Sequence, residues 1–110
     1  MKLPNRENAY IQSGKLYDYL LSMTHPIGKW KAKFFRLHGY NETNSDLLKQ
    51  QLMAIIHHED VKDVTISPFG TKYIIDGTLK TPLERTVGVR TVWIIDEGQD
   101  QPRLLTVFPV

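Results

Sequence analysis

The chain contains no cysteine. That excludes a disulfide framework, a thiolate metal site and a thiol nucleophile, and it fits a reducing compartment, so a cytoplasmic setting is expected. No stretch approaches the roughly 18 consecutive apolar residues of a membrane-spanning helix. The opening MKLPNRENAY has no apolar core of a signal peptide, so no membrane partner is expected either. The Walker loop, GxGxxG, HExxH and GxSxG are all missing, which removes the signatures of phosphate-loop, dinucleotide, zinc-protease and serine-hydrolase chemistry. His57-His58-Glu59 comes nearest to a metal motif. Adjacent histidines on a helix diverge by about 100°, which is poor ligand geometry, and the helix dipole explains their place in a last turn. No metal and no cofactor are expected.

What is present suits one soluble globular domain over residues 1–110, with a helical part to about residue 60 and a strand part after it. Apolar residues make up 41% and charged residues 24%, and the formal net charge is only +2. The distribution says more than the sum. Lys29, Lys31, Lys33 and Arg36 bring four positive charges with no acid among them, whereas acids gather around Glu59–Asp63 and Asp96–Asp100. A local basic site in a near-neutral protein suits a short piece of polyanion better than a long one.

Periodicity predicts three helices. Ser13 caps the first, over about 14–22, with Leu16, Tyr19, Leu20 and Met23 on one stripe. The second runs from about Pro26 to His38. Proline suits a first helical position, His25 before it is pushed to an extended cap conformation, and Gly39 is a stop. On this helix Ile27, Trp30, Phe34 and Leu37 are expected to form the buried face, with Lys29, Lys33 and Arg36 opposite and Lys31 and Phe35 on the flank. Asn44 or Ser45 caps a third helix to about His58, whose apolar set is Leu48, Leu52, Ile55 and Ile56. The pattern then turns to period two. Strands are predicted at Val61–Ser67, Thr71–Leu79, Arg85–Asp96 and Arg103–Pro109, with a loop at Lys80–Glu84. The expected fold is α+β, with about three N-terminal helices packed on a four-stranded antiparallel meander.

Three sets of residues carry candidate chemistry. His25 is a histidine at the positive end of a helix, where a phosphate is also favoured; a plain cap is the alternative. Lys29, Lys31, Lys33 and Arg36 could stabilise the charge that develops on a phosphorane or hold flanking phosphates, as against a solvated helix face. Arg90, Thr91 and Thr106 are polar groups in mostly apolar strands, where an arginine could grip a phosphate and a threonine position it; strand propensity alone also explains the threonines.

Three segments read together, THPIGKWKAKFFRLHGY, RTVGVRTVWIIDEG and PRLLTVFPV, resemble a small bacterial family described as a domain of unknown function. The layout is in turn similar to the barnase–EndoU–colicin E5/D–RelE (BECR) group of ribonuclease toxins. Members of that group often place a histidine and a lysine in the helical part and end with Thr-x-Tyr-Pro. Here the ending is Thr106-Val107-Phe108-Pro109, so position 108 carries no phenol. The resemblance implies a metal-independent endoribonuclease toxin that cleaves RNA by 2′-OH attack on the adjacent phosphate. His25 would move the proton. Lys31, Lys33 and Arg90 would stabilise the phosphorane, Thr91 and Thr106 would position substrate, and Lys29 and Arg36 would bind its flanks. An acidic antitoxin or immunity protein is the implied partner besides RNA. The alternative is a non-catalytic protein- or RNA-binding module that uses the basic helix as its interface.

Overall fold

A computed structural model describes residues 1–12, 14–16 and 29–110. Two α-helices lie among them, α1 (Lys29–Leu37) and α2 (Ser45–His58), followed by four strands, β1 (Asp63–Ser67), β2 (Gly70–Lys80), β3 (Thr86–Asp96) and β4 (Arg103–Pro109). The strands form one antiparallel sheet in the order β1-β2-β3-β4, the meander that the period-two pattern predicts. The helical half differs from expectation. The described residues hold two α-helices rather than three, and neither lies at the N-terminus. The helix expected over about 14–22 lies largely outside the described residues. So do Pro26–Gly28, at the start of the helix expected from Pro26.

The chain opens on an extended lead with a single 3-10 turn at Arg6–Asn8. Val61 N–H donates to the Met1 carbonyl at 2.7 Å, and Tyr10 forms an isolated parallel bridge with Arg103. The lead therefore runs from the head of β1 to the head of β4 and buries Leu3 and Ile11 on the way. The bridge covers part of the outer edge of β4, an edge that would otherwise offer unpaired backbone groups.

The α2 helix follows its sequence pattern. Leu48, Leu52, Ile55 and Ile56 are buried at i, i+4, i+7 and i+8, one helical stripe. The stripe sits on the β2 face that carries Ile75, Gly77 and Leu79. Gly77 is needed there, because a Cβ at 77 would lie 2.8 Å from Ile55 Cγ2. The missing side chain is what lets helix and strand approach. Tyr40, buried just before α2, donates from its hydroxyl to Gln51 Oε1 at 2.5 Å, and burial pushes its pKa up to about 12.

The α1 helix is rotated from its expected setting. Ala32 and Phe35 are fully buried, whereas Trp30 is 73% and Leu37 69% exposed. The buried arc is centred on Ala32 and Phe35, roughly opposite the arc of Trp30, Lys33 and Leu37. Small Ala32 permits close packing, and Phe35 stacks edge-on against Phe34 and Tyr40. Lys31, expected on a flank, is thereby turned inward. No helix among the described residues is long and apolar enough to cross a membrane.

Candidate functional site

The inward turn of α1 sets the site. Lys31 lies next to Ala32 on the buried arc, and its half-buried Nζ donates to Thr106 Oγ1 on β4. A lysine can reach this far because its alkyl stem lies along apolar neighbours while the ammonium finds a polar partner. Two residues from opposite halves of the chain are thus joined.

The strand register decides which other candidates share that neighbourhood. Thr106 pairs with Val92, and Phe108 with Arg90; Arg90 in turn pairs with Asp76 on β2. Paired residues lie on the same face of a sheet, and alternate residues along a strand return to it. Thr106, Phe108, Arg90 and Asp76 therefore share the face opposite α2, with Arg90 a diagonal neighbour of Thr106. A register shift between Val92 and Trp93 locally breaks the pleat of β4 at Leu105. That shift lets Leu104 stay in the core while Thr106 faces the other way.

Arg90 is held rather than loose. Its Nε and Nη2 donate to the two Asp76 oxygens at 2.8 and 2.9 Å, and Lys62 Nζ lies 3.4 Å from the same carboxylate. The hydrogen bond from Arg90, with help from Lys62, keeps the Asp76 carboxyl below its usual range; the same bond pushes Arg90 up. Two cations against one anion leave this cluster positive. Arg90 has five N–H donors and gives two to Asp76, so three remain for another acceptor. A second bidentate pair, Arg103 to Asp96 at 2.8 and 3.0 Å, holds Asp96 low in the same way.

Thr91, Lys33 and Arg36 are placed elsewhere. Thr91 is fully buried on the α2 face. Its hydroxyl donates to the Ile75 carbonyl at 2.7 Å and accepts from Trp93 Nε1 at 3.0 Å. With both roles taken and no exposure, it is built into the core. Lys33 is exposed on the outer side of α1, 5.8 Å from the centre of the Trp30 ring. Arg36 pairs with Glu42. Hydrogen bonding holds the Glu42 carboxyl low, that to its own backbone most and that from Arg36 next. The acid-free stripe thus ends at an acid just beyond the helix. Lys29 starts α1, while His25 lies outside the described residues. His57 and His58 are exposed, and His58 Nδ1 lies 2.8 Å from the Ala54 carbonyl.

Asp76 and Lys62 are the residues that sequence reasoning missed. Neither stands out in one dimension. Only the β2–β3 register sets Asp76 across from Arg90.

Comparison with solved structures finds the same fold in a chain of a contact-dependent growth inhibition toxin–immunity protein complex from Klebsiella pneumoniae 342. The TM-score is 0.73 at 13% identity, over 94% of this chain and 95% of that one. Comparison with curated proteins finds no match. The family comparison reaches further along the sequence itself: residues 2–110 match a domain of unknown function, DUF6883, and the chain belongs to that family.

Proposed function

We propose that this chain is the toxin component of a toxin–antidote pair and acts as a metal-independent endoribonuclease of the BECR kind. The observation that carries the reading is the contact of Lys31 Nζ with Thr106 Oγ1, on the sheet face that also bears Arg90. An ammonium, a hydroxyl and a guanidinium with spare donors on one face would suit a phosphate. The fold shared with one chain of a toxin–immunity complex supports the setting.

In this reading the RNA 2′-oxygen attacks the adjacent phosphorus, the P–O5′ bond breaks, and a 2′,3′-cyclic phosphate and a 5′-hydroxyl result. His25 takes the 2′-OH proton or delivers one to the leaving 5′-oxygen. Lys31 and Arg90 face the non-bridging oxygens, where negative charge grows in the phosphorane. Thr106 orients the phosphate. Lys33 acts from farther out, on flanking phosphates. An acidic protein that covers α1 and this sheet face would silence the toxin.

Purified wild-type chain should cleave single-stranded RNA in the presence of EDTA. The products should carry 2′,3′-cyclic phosphate ends, and a 2′-deoxy substitution at the cleavage site should block the reaction. Lys31→Ala and His25→Ala should each lower the rate by roughly 10²-fold or more. Well-folded wild-type chain that leaves RNA intact and does not arrest growth would return the chain to the binding-module reading.

A further inference from the structure

We infer that Trp30 is a stacking platform for a base of single-stranded RNA, and that Lys33 beside it binds the neighbouring phosphate. This rests on the ribonuclease reading above and names a contact outside its reacting centre.

Tryptophan is on average among the well-buried residues, and Trp93 in this chain is fully buried. Trp30 instead exposes 73% of its surface. The fold does not need it there, because Ala32 and Phe35 supply the buried arc of α1. One turn on, its arc carries Lys33, with the exposed Leu37 beyond. The helix reads KWKAKFFRL, with four cations and no acid, and Lys33 Nζ lies 5.8 Å from the centre of the Trp30 ring. An aromatic plane beside an ammonium is the basic unit of sequence-tolerant binding to single strands: the ring takes a base and the cation a phosphate. An apolar protein segment would not call for that charge; a polyanion does. Position adds to this. Trp30 immediately precedes Lys31, which turns toward Thr106 about 100° round the helix. A strand whose phosphate reached that pair would have a neighbouring nucleotide within reach of Trp30.

The test is a fluorescence titration of the full chain with a single-stranded 2′-O-methyl oligonucleotide, which binds but cannot be cut, run beside RNA cleavage kinetics. The chain has two tryptophans. Since Trp93 is buried, saturable quenching reports Trp30. Quenching is expected with the oligonucleotide and not with an abasic strand of equal charge. Trp30→Ala should weaken binding by roughly 5- to 100-fold and raise KM with kcat little changed. Trp30→Phe should recover most of the affinity without the quench, and Lys33→Gln should flatten the salt dependence. RNA cleavage that continues with no quenching, or with KM unchanged in Trp30→Ala, overturns the stacking role and leaves the ribonuclease reading standing. Base-dependent quenching without cleavage supports the platform and overturns the catalytic reading instead. Quenching by the abasic strand as well, or a Trp30→Ala that keeps RNA affinity but loses a protein partner, overturns the inference.

Discussion

Thr91 and Thr106 look alike in the sequence, each a polar residue in an apolar strand, and the sheet sends them to opposite faces. On the α2 side, Thr91 is sealed between the Ile75 carbonyl and the Trp93 indole. On the other side, Thr106 meets the ammonium of Lys31 and shares its face with Arg90 and Asp76. The first face has closed its polar groups with short neutral hydrogen bonds. The second has charges that pair with one another and retain donors. A hydroxyl in a strand therefore says little until its face is known; its partners, neutral and buried or charged and half-exposed, say what it can do.

The comparison can be broken most sharply at Gly77. A side chain there must push Ile55 off the sheet, so Gly77→Val should destabilise the fold by about 3 kcal/mol, the upper part of the overpacking range. Urea unfolding would read this as a lower midpoint. A midpoint close to wild type would mean that α2 does not bear on the sheet as described. Thr91→Val comes next. It keeps the shape but leaves the buried Trp93 N–H without its acceptor, for about 2 kcal/mol. RNA cleavage, measured below the unfolding transition, should be unchanged. A rate loss without a stability loss would bring Thr91 back as a substrate contact.

Much of the architecture can be read from the sequence because it rests on local periodicity. The four strands and α2 show their period plainly, and Gly39, at φ +95°, falls where a helix stop is expected. The setting of α1 cannot be read this way. Trp30, Phe34 and Leu37 make the more apolar arc, yet the buried one holds Ala32, Phe35 and Lys31. A hydrophobic wheel scores composition; it does not score a half-buried lysine whose head finds a hydroxyl 75 residues away. Asp76 is hidden for another reason. A loop read as Lys80–Glu84 centres on Pro82 and would set Asp76 across from Gly88. The β2–β3 hairpin centres one residue later, so Asp76 faces Arg90. Two residues of pairing register separate an acid directly across from Arg90 from one set across from Gly88.

Thr106→Val should have a smaller effect on the fold than Thr91→Val, about 1 kcal/mol, because Lys31 stays half-exposed and water can replace its partner. Its effect on RNA cleavage should be the larger of the two, roughly 10-fold or more through lost positioning of the phosphate. The pair of substitutions thus forms a crossed test: Thr91→Val costs more stability and spares activity, whereas Thr106→Val costs less stability and lowers activity. If both lower only stability, the two faces do not differ in function.

The smallest effect on stability is expected at Asp76, where pH separates the faces. Asp76 is held below its usual range chiefly by the hydrogen bond from Arg90. A carboxyl whose folded pKa is depressed contributes stability that is fully present above its unfolded value, about 3.9, and lost as pH falls through the lower folded value. Wild type should therefore lose stability faster than Asp76→Asn as pH drops from about 5, and the two curves should converge at the acid end. Added salt should narrow the gap, as for any half-exposed ion pair. Asp96, held low in the same way by Arg103, remains in both proteins, so the difference isolates Asp76. The stability difference between wild type and Thr91→Val should stay flat over the same range, because neither of its hydrogen-bond partners titrates. Parallel acid curves for wild type and Asp76→Asn would mean that Asp76 does not hold Arg90 in solution, and the guanidinium would then enter the site as a free cation.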